Sequence, residues 1–165
     1  YAHGLSWPLL VKYYGNRNFT SKLIFHVSMP KPFRLAEQYL IRAEAYCRKN
    51  DFTKAGNDLT ALRKMRYASG GTLNVSKNNW LQTISDERVR ELYMEGFRLH
   101  DLKRWGKEYA DLNGGYSIRR TPQSCSQPEG SSLKITPDNP LFVWPIPQHE
   151  LESPGSEILP NESNR

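Results

Sequence analysis

Apolar residues recur with a helical period in the segment that follows Pro32. At 100° per residue they form one stripe along residues 32–49, and charged side chains take the opposite face. The stripe consists of Leu35, Ala36, Tyr39, Leu40, Ala43, Tyr46 and Cys47, and the opposite face of Glu37, Glu44, Arg48 and Lys49. Pro32 suits the first turn of a helix, where a missing N–H has no partner to lose. The pattern therefore predicts an amphipathic helix over residues 32–49.

A second amphipathic helix is predicted over residues 53–67. Asp51 is a suitable N-cap residue for it, and the glycines at 70–71 end it. Its apolar side consists of Ala55, Leu59 and Leu62. The two helices resemble a tetratricopeptide hairpin, in which small residues let antiparallel helices approach closely, although Arg42 replaces the usual Leu. No second copy follows at a period of about 34 residues, so a superhelix of several repeats is not predicted.

The segment from Trp80 to Trp105 predicts one long third helix. Its apolar side consists of Leu81, Ile84, Leu92, Leu99 and Leu102. Gly96 leaves a patch of bare backbone on this helix, which permits close approach of a neighbouring helix.

Irregular loops are predicted on both sides of these helices. Residues 1–33 contain short apolar runs between Gly and Pro, and residues 107–165 include a long stretch, 113–140, that is rich in Gly, Ser, Pro, Asn and Gln. The helical core is therefore expected over residues 34–106. The predicted fold class is mostly α, a tetratricopeptide-like hairpin plus a long third helix, with extended irregular loops and little or no β structure.

Charged residues also occur on the apolar side of the third helix. Burying charge is costly unless each ion is paired, and the spacing provides pairs one helical turn apart. The pairs are Arg88 with Glu91, Glu95 with Arg98, and Arg98 with Asp101. We interpret the five residues as a structural ion-pair network, because adjacent arginines keep carboxylates ionised. The alternative makes Glu91 and Glu95 the general acid and base of a glycoside hydrolase, whose carboxylates stand roughly 5 to 10 Å apart across a sugar.

The sequence Trp-Pro-Ile-Pro at residues 144–147 predicts a stiff extended segment. Each Pro fixes its own φ and keeps the preceding residue extended, so Trp144 and Ile146 project from the chain. We expect both side chains to pack back onto the helices, since burial of large apolar side chains is stabilising. The alternative is that the segment binds a partner domain.

Composition and charge exclude several classes of function. With 38% hydrophobic and 12% aromatic residues, the chain is typical of a folded domain. The 23 Lys and Arg exceed the 17 Asp and Glu, but the two signs are interleaved, so nucleic acid is not a predicted partner. The histidines and the two cysteines, Cys47 and Cys125, have no metal-ligand spacing, and neither a metal nor another cofactor is predicted. A disulfide between the cysteines stays open, although a buried free Cys47 is favoured.

Three segments in the same order resemble the carboxy-terminal region of the SusD/RagB family. They are RLAEQYLIRAEAY (Arg34–Tyr46), ERVRELYMEGFRLHDLKRWG (Glu87–Gly106) and FVWPIPQHEL (Phe142–Leu151). Pro160 and Asn161 also resemble the asparagine-containing ending of these proteins. The resemblance extends over about Val11 to Asn161, and three landmarks in order are more specific than any one of them.

The resemblance implies a fold, a location and a partner. Members of this family are helical, non-enzymatic proteins with tetratricopeptide-like hairpins, held on the outer face of the outer membrane by a lipidated cysteine. They cover a SusC-like TonB-dependent transporter and deliver oligosaccharides, or in some branches peptides. The 165 residues lack that cysteine and the amino-terminal hairpins. We therefore expect the chain to be a single domain or fragment, the carboxy-terminal part of a SusD-like protein whose anchor lies elsewhere.

Aromatic side chains are the candidate ligand contacts, because sugar rings stack their apolar faces on Trp and Tyr. The candidates are Trp7, Tyr13, Tyr14, Tyr109 and Tyr116. Three functions follow from the sequence. Glycan capture without catalysis is favoured, a tetratricopeptide-type protein or peptide interaction module is the alternative, and a glycoside hydrolase is the most remote.

Overall fold

The computed structural model describes residues 31–119 and 134–164. Contacts between residues divide the chain into two units, Tyr1–Arg34 and Leu35–Arg165. All helices and strands described below belong to the second unit. The irregular segment predicted over residues 1–33 falls, except for its last three residues, outside the described part of the chain.

The described part of the second unit is mostly helical, as predicted. Its elements are α1 (Leu35–Arg48), α2 (Phe52–Lys64), α3 (Trp80–Glu91), α4 (Phe97–Leu112), β1 (Ile118–Arg119), β2 (Lys134–Ile135) and α5 (Gln148–Leu151), with short 3₁₀ helices at Pro140–Phe142 and Glu162–Asn164. The β structure is one antiparallel pair of two-residue strands, in which Ile118 lies opposite Ile135. The only strands in the described ranges thus lie within the loop-rich stretch, residues 113–140, that the sequence predicted.

The helices α1 and α2 form the predicted antiparallel hairpin. Asn50 takes a positive φ of 59° in the turn, and the Asp51 carboxylate caps α2 by accepting from the Lys54 N–H at 3.2 Å. Small and branched apolar residues of α1 and α2 form a fully buried contact between the two helices. They include Leu40, Ala43, Ala55 and Leu59. A Cβ on Gly56 would stand 3.0 Å from the Leu73 carbonyl oxygen, so a glycine here lets the chain after α2 pack closely on the helix.

The prediction of one long third helix is wrong, because the chain breaks between Glu91 and Phe97. Met94 and Gly96 both adopt left-handed backbone, with φ of 61° and 83°. Outside the immediate neighbours of Gly96, no atom lies within 4 Å of the position that a Cβ there would occupy. This glycine therefore serves the backbone turn and not, as the sequence suggested, a close helix contact. The turn lets α4 fold back and pack against α3.

One hydrophobic core joins the four long helices. Its buried members include Leu62, Leu81, Ile84, Leu92, Leu102 and Trp105. Leu99, predicted on the same apolar side, stays partly exposed because the break rotates α4. Cys47 is a buried free thiol, and burial, reinforced by the negative charge of Glu44, raises its pKa to about 11.

The end of the chain forms a clasp around the extended segment at residues 144–146. The Asn161 side-chain amide donates to the Trp144 carbonyl at 2.8 Å. The Asn164 side chain both accepts from the Ile146 N–H at 3.0 Å and donates to the Ile146 carbonyl at 2.9 Å. We define Asn161 and Asn164 as the asparagine clasp. The expectation that Trp144 packs onto the helices is wrong, since its side chain projects into solvent, whereas Phe142 in the same region is buried.

We expect Gly96→Ala to lower the free energy of unfolding by about 1 to 2 kcal/mol, the cost of a Cβ in left-handed backbone. There is room for the added methyl group, so conformational strain is the whole effect. Gly96→Asn is the matched control and should lose less, because Asn tolerates this conformation better than Ala. Urea denaturation followed by circular dichroism measures both. Equal losses for Ala and Asn would show that the conformation of residue 96 is not what matters.

Candidate functional site

Glu44 is the most heavily bonded carboxylate of the described residues, although the sequence predicted that it faces solvent. Its residue exposure is 5%. Both oxygens accept from the Arg104 guanidinium on α4, at 2.6 and 2.5 Å, and Oε1 also accepts from the Trp105 Nε1–H at 3.0 Å. Arg48, one turn along α1, adds a bond at 3.2 Å. The carboxylate thus ties α1 to α4.

A second carboxylate, Asp101, joins α3 to the same cluster. Its Oδ2 accepts from Arg88 Nε at 2.7 Å, and its Oδ1 accepts from Arg104 Nε at 3.0 Å. The side chains of Arg88 and Asp101 are both almost completely buried. Glu44, Arg104, Asp101 and Arg88 therefore form one continuous chain of ion pairs across three helices. We call these four residues the buried network.

The ion-pair partners observed for the charged residues of α3 and α4 differ from those that helical spacing predicted. Arg88 pairs with Asp101 across the break and not with Glu91, whose two oxygens accept from Arg66 at 2.9 Å each. Arg98 donates to two hydroxyls, Ser85 Oγ and Tyr109 OH, both at 2.8 Å. The predicted pairs assumed one continuous helix, and the turn at Gly96 moves α4 residues to new neighbours. Glu95 also takes part in an interaction within the protein.

Every buried carboxylate in the described ranges carries at least one arginine. These carboxylates are Glu44, Asp58, Glu87 and Asp101. Asp58 on α2 accepts from Arg42 on α1 through two bonds of 2.7 and 2.8 Å, and Glu87 contacts both Arg63 and Arg90. Such pairing offsets the cost of removing charge from water. It also occupies the oxygens that acid–base chemistry would need.

The protonation of Glu44 is fixed by competing effects. Burial alone would raise its pKa, but hydrogen bonds from Arg104 and Trp105 and the positive charge of Arg104 outweigh burial and hold the pKa below the ordinary value for glutamate. The group is therefore ionised at neutral pH, as an ion-pair partner must be. A general acid would need the opposite shift.

The aromatic candidates occupy different environments. Tyr109 is 7% exposed, stacks on Trp105 at 5.7 Å between ring centroids and bonds to Arg98, so its ring is closed to a ligand in this unit. Tyr116 is half-buried, with Lys134 Nζ 5.4 Å from its ring centroid. Trp7, Tyr13 and Tyr14 lie outside the described residues. Trp144 has an exposure of 79% and was not among the sequence candidates, although the flanking prolines signalled a projecting side chain.

Comparison with known proteins assigns the chain to a family. A sequence profile described as the SusD family matches residues 7–156, which is most of the 165 residues. The chain belongs to the SusD family. The starch-binding protein SusD of Bacteroides thetaiotaomicron is 36% identical over 110 residues, covering 64% of this chain and 18% of that protein. The chain thus spans less than a fifth of the length of this curated relative, and no solved structure gives a significant match.

The SusD-family landmarks coincide with the charged residues described above. Glu44 lies in the first landmark, and Arg88, Asp101 and Arg104 lie in the second. The buried network therefore links the two segments that carry the family resemblance, although they are separated by about forty residues of chain. The signal that sequence reasoning missed was the position of Glu44, four residues after Leu40 and three before Cys47, which places it on the buried stripe.

We expect Glu44→Gln to destabilise this SusD-family chain by about 2 kcal/mol, because Arg104 and Arg48 each lose one of their two anionic partners. The cost is less than for a fully buried pair, since Arg104 and Arg48 keep almost half of their side-chain surface in water. Glu108→Gln is the control, because its pair with Arg48 is exposed and should be worth less than about 0.5 kcal/mol. Chemical denaturation measures both variants. If Glu44→Gln lowers the free energy of unfolding no more than Glu108→Gln does, the buried network does not contribute to stability.

We expect the contribution of Glu44 to be lost in acid. A depressed folded-state pKa gives stability that is present in full above the unfolded value, about 4.5, and disappears as the pH falls through the folded value. The stability of the unaltered chain should therefore decline more steeply below about pH 4.5 than that of Glu44→Gln. Denaturation curves collected from neutral to acidic pH test this difference. Parallel pH dependences of the two proteins would contradict the ionised state assigned to Glu44.

Proposed function

We propose that this SusD-family chain takes part in non-catalytic capture of a glycan at the cell surface. The observation that carries the proposal is the family match over residues 7–156, supported by similarity to a protein named for starch binding. The ligand is an oligosaccharide, and the chain delivers it to a SusC-like TonB-dependent transporter. A peptide ligand is the second possibility within the same role.

The location follows from the same family role. The protein acts on the outer face of the outer membrane and is attached there through a lipid anchor. Among residues 31–119 and 134–164, no helix has the length and apolar character needed to cross a bilayer. The residues that the sequence predicted as an ion-pair network have a structural role in this proposal and take no part in glycan binding. They are Arg88, Glu91, Glu95, Arg98 and Asp101.

Trp144 supports a sugar-binding surface in this region. Its indole is exposed, while its backbone carbonyl is held by Asn161, so the ring is presented from a fixed segment. A rigid aromatic ring is suited to stack on the apolar face of a sugar, and it loses little conformational freedom on binding. Among the described residues, Tyr116, half-buried beside Lys134, is the sequence candidate that stays open to a ligand.

The other two functions receive less support from the described residues. A glycoside hydrolase would need Glu91 free to exchange protons, whereas both of its oxygens accept from Arg66. A tetratricopeptide-type module would bind peptides through residues 35–62. The inner side of that hairpin is occupied by its own core and by α3, which packs on α1.

Calorimetric titration of the chain with malto-oligosaccharides and other plant and bacterial oligosaccharides tests the proposal. We expect saturable binding of at least one saccharide without release of new reducing ends. Trp144→Ala should weaken that binding about tenfold, because the stacking surface is removed. Tyr67→Ala is the matched control, since this exposed aromatic residue lies at the end of α2, far along the chain from the clasp.

Two results would contradict the proposal. Failure of every saccharide to bind to a folded chain would remove glycan capture. Release of reducing ends that disappears in Glu91→Gln, with the fold retained, would favour the hydrolase instead. Equal affinity of the unaltered chain and Trp144→Ala would remove Trp144 alone from the ligand surface.

A further inference from the structure

A cavity lies at the turn between α3 and α4, and the proposed glycan surface does not include it. Its volume is about 370 Å³, within the range of small-molecule sites. Its walls are largely apolar. They are formed by Val89, Leu92, Tyr93, Met94, Phe97 and Leu99. Several of these side chains are partly exposed, so the cavity opens to solvent on the surface of the second unit.

The polar groups of this cavity carry an excess of positive charge. Arg88, Arg98 and Asp101 line it, which places two guanidinium groups beside one carboxylate. Asp101 bonds to Arg88 through Nε, and Arg98 bonds only to the neutral hydroxyls of Ser85 and Tyr109 in the contacts described. The charge of Arg98 therefore has no carboxylate partner within the described ranges.

One donor of Arg88 is buried and unsatisfied. The Nη1 atom of Arg88 has no acceptor among residues 31–119 and 134–164, although the Arg88 side chain is almost completely buried. A buried N–H without an acceptor is unfavourable, and most buried donors in folded proteins are bonded. Because this atom is closed to solvent, the guanidinium that an entering molecule can reach is that of Arg98, which lines the cavity and is partly exposed.

We infer that this cavity binds an apolar monocarboxylate, a molecule with a hydrophobic body and one anionic end. The body fills the space between Val89, Phe97 and Leu99, and the carboxylate pairs with the Arg98 guanidinium, which forms the strongest class of hydrogen bond available there. A sugar fits poorly, because its hydroxyls would lose water and meet few polar partners on these walls. The site is therefore additional to the proposed glycan surface at Trp144.

Such a ligand has two sources, the carboxy-terminal residue of a peptide and a free fatty acid. N-acetylphenylalanine and octanoate represent the two, and N-acetylphenylalaninamide lacks the negative charge. Titration followed by amide chemical shifts of residues 88–101 should show saturable binding of at least one of the acids. The amide should bind about tenfold more weakly than N-acetylphenylalanine where that acid binds, and preference between the two acids identifies the source.

Two variants on α4 separate this site from a general surface effect. Leu99→Glu places a negative charge in the cavity wall, and Leu112→Glu places one on the same helix outside it, at positions that are 39% and 50% exposed. We expect Leu99→Glu to weaken binding of the acid about tenfold and Leu112→Glu to leave it unchanged. Val89→Glu on α3 repeats the test if Leu99→Glu does not fold.

Saccharide titrations of the same folded variants keep this inference separate from glycan capture. Saccharide affinity that is unchanged in Leu99→Glu supports two distinct sites, whatever that affinity is. The inference is overturned if neither acid gives saturable shifts at millimolar concentration. It is also overturned if the amide binds as well as the acid, or if Leu99→Glu removes acid and saccharide binding together.

Discussion

The need to satisfy a buried carboxylate on α1 governs the arrangement of the helices. Glu44 cannot leave water without compensation, and Arg104 and Trp105 on α4 supply it. Their bonds are directional, so they fix how far along α1 the helix α4 lies, which apolar packing alone would leave less defined. Asp101 then transmits the same constraint to Arg88 on α3. The packing of α3 and α4 around the hairpin thus depends on groups that hydrophobicity scales would place outside.

The hairpin could be predicted from sequence because its information is local. The apolar stripe of α1, the cap at Asp51 and the small residues of α2 act within a few residues of one another. The break after α3 could not be predicted in the same way. Residues 91–97 fit a helical pattern, whereas the left-handed backbone at Met94 and Gly96 accompanies the packing of α4 on α3. Tertiary contacts therefore overrode a local preference.

The charged site was predicted in kind but not in its partners. Sequence reasoning selected Arg88 and Asp101 and expected ions braced against one another, yet it placed each partner one turn away on a single helix. Glu44 was missed because a carboxylate on an apolar face is assumed to point outward unless its partners are known, and these lie about sixty residues away. The solvent exposure of the aromatic side chains could not be predicted from the sequence either. Tyr109 and Trp144 are both aromatic residues near loops, but only the structure separates the buried one from the exposed one.

The asparagine clasp has a consequence for how such a protein changes over evolution. Asn161 and Asn164 hold the backbone of residues 144–146 and not their side chains. Replacement of the side chain at position 144 therefore leaves those hydrogen bonds in place. A projecting residue on a segment secured in this way can be exchanged by single mutations without loss of the backbone contacts that hold the segment.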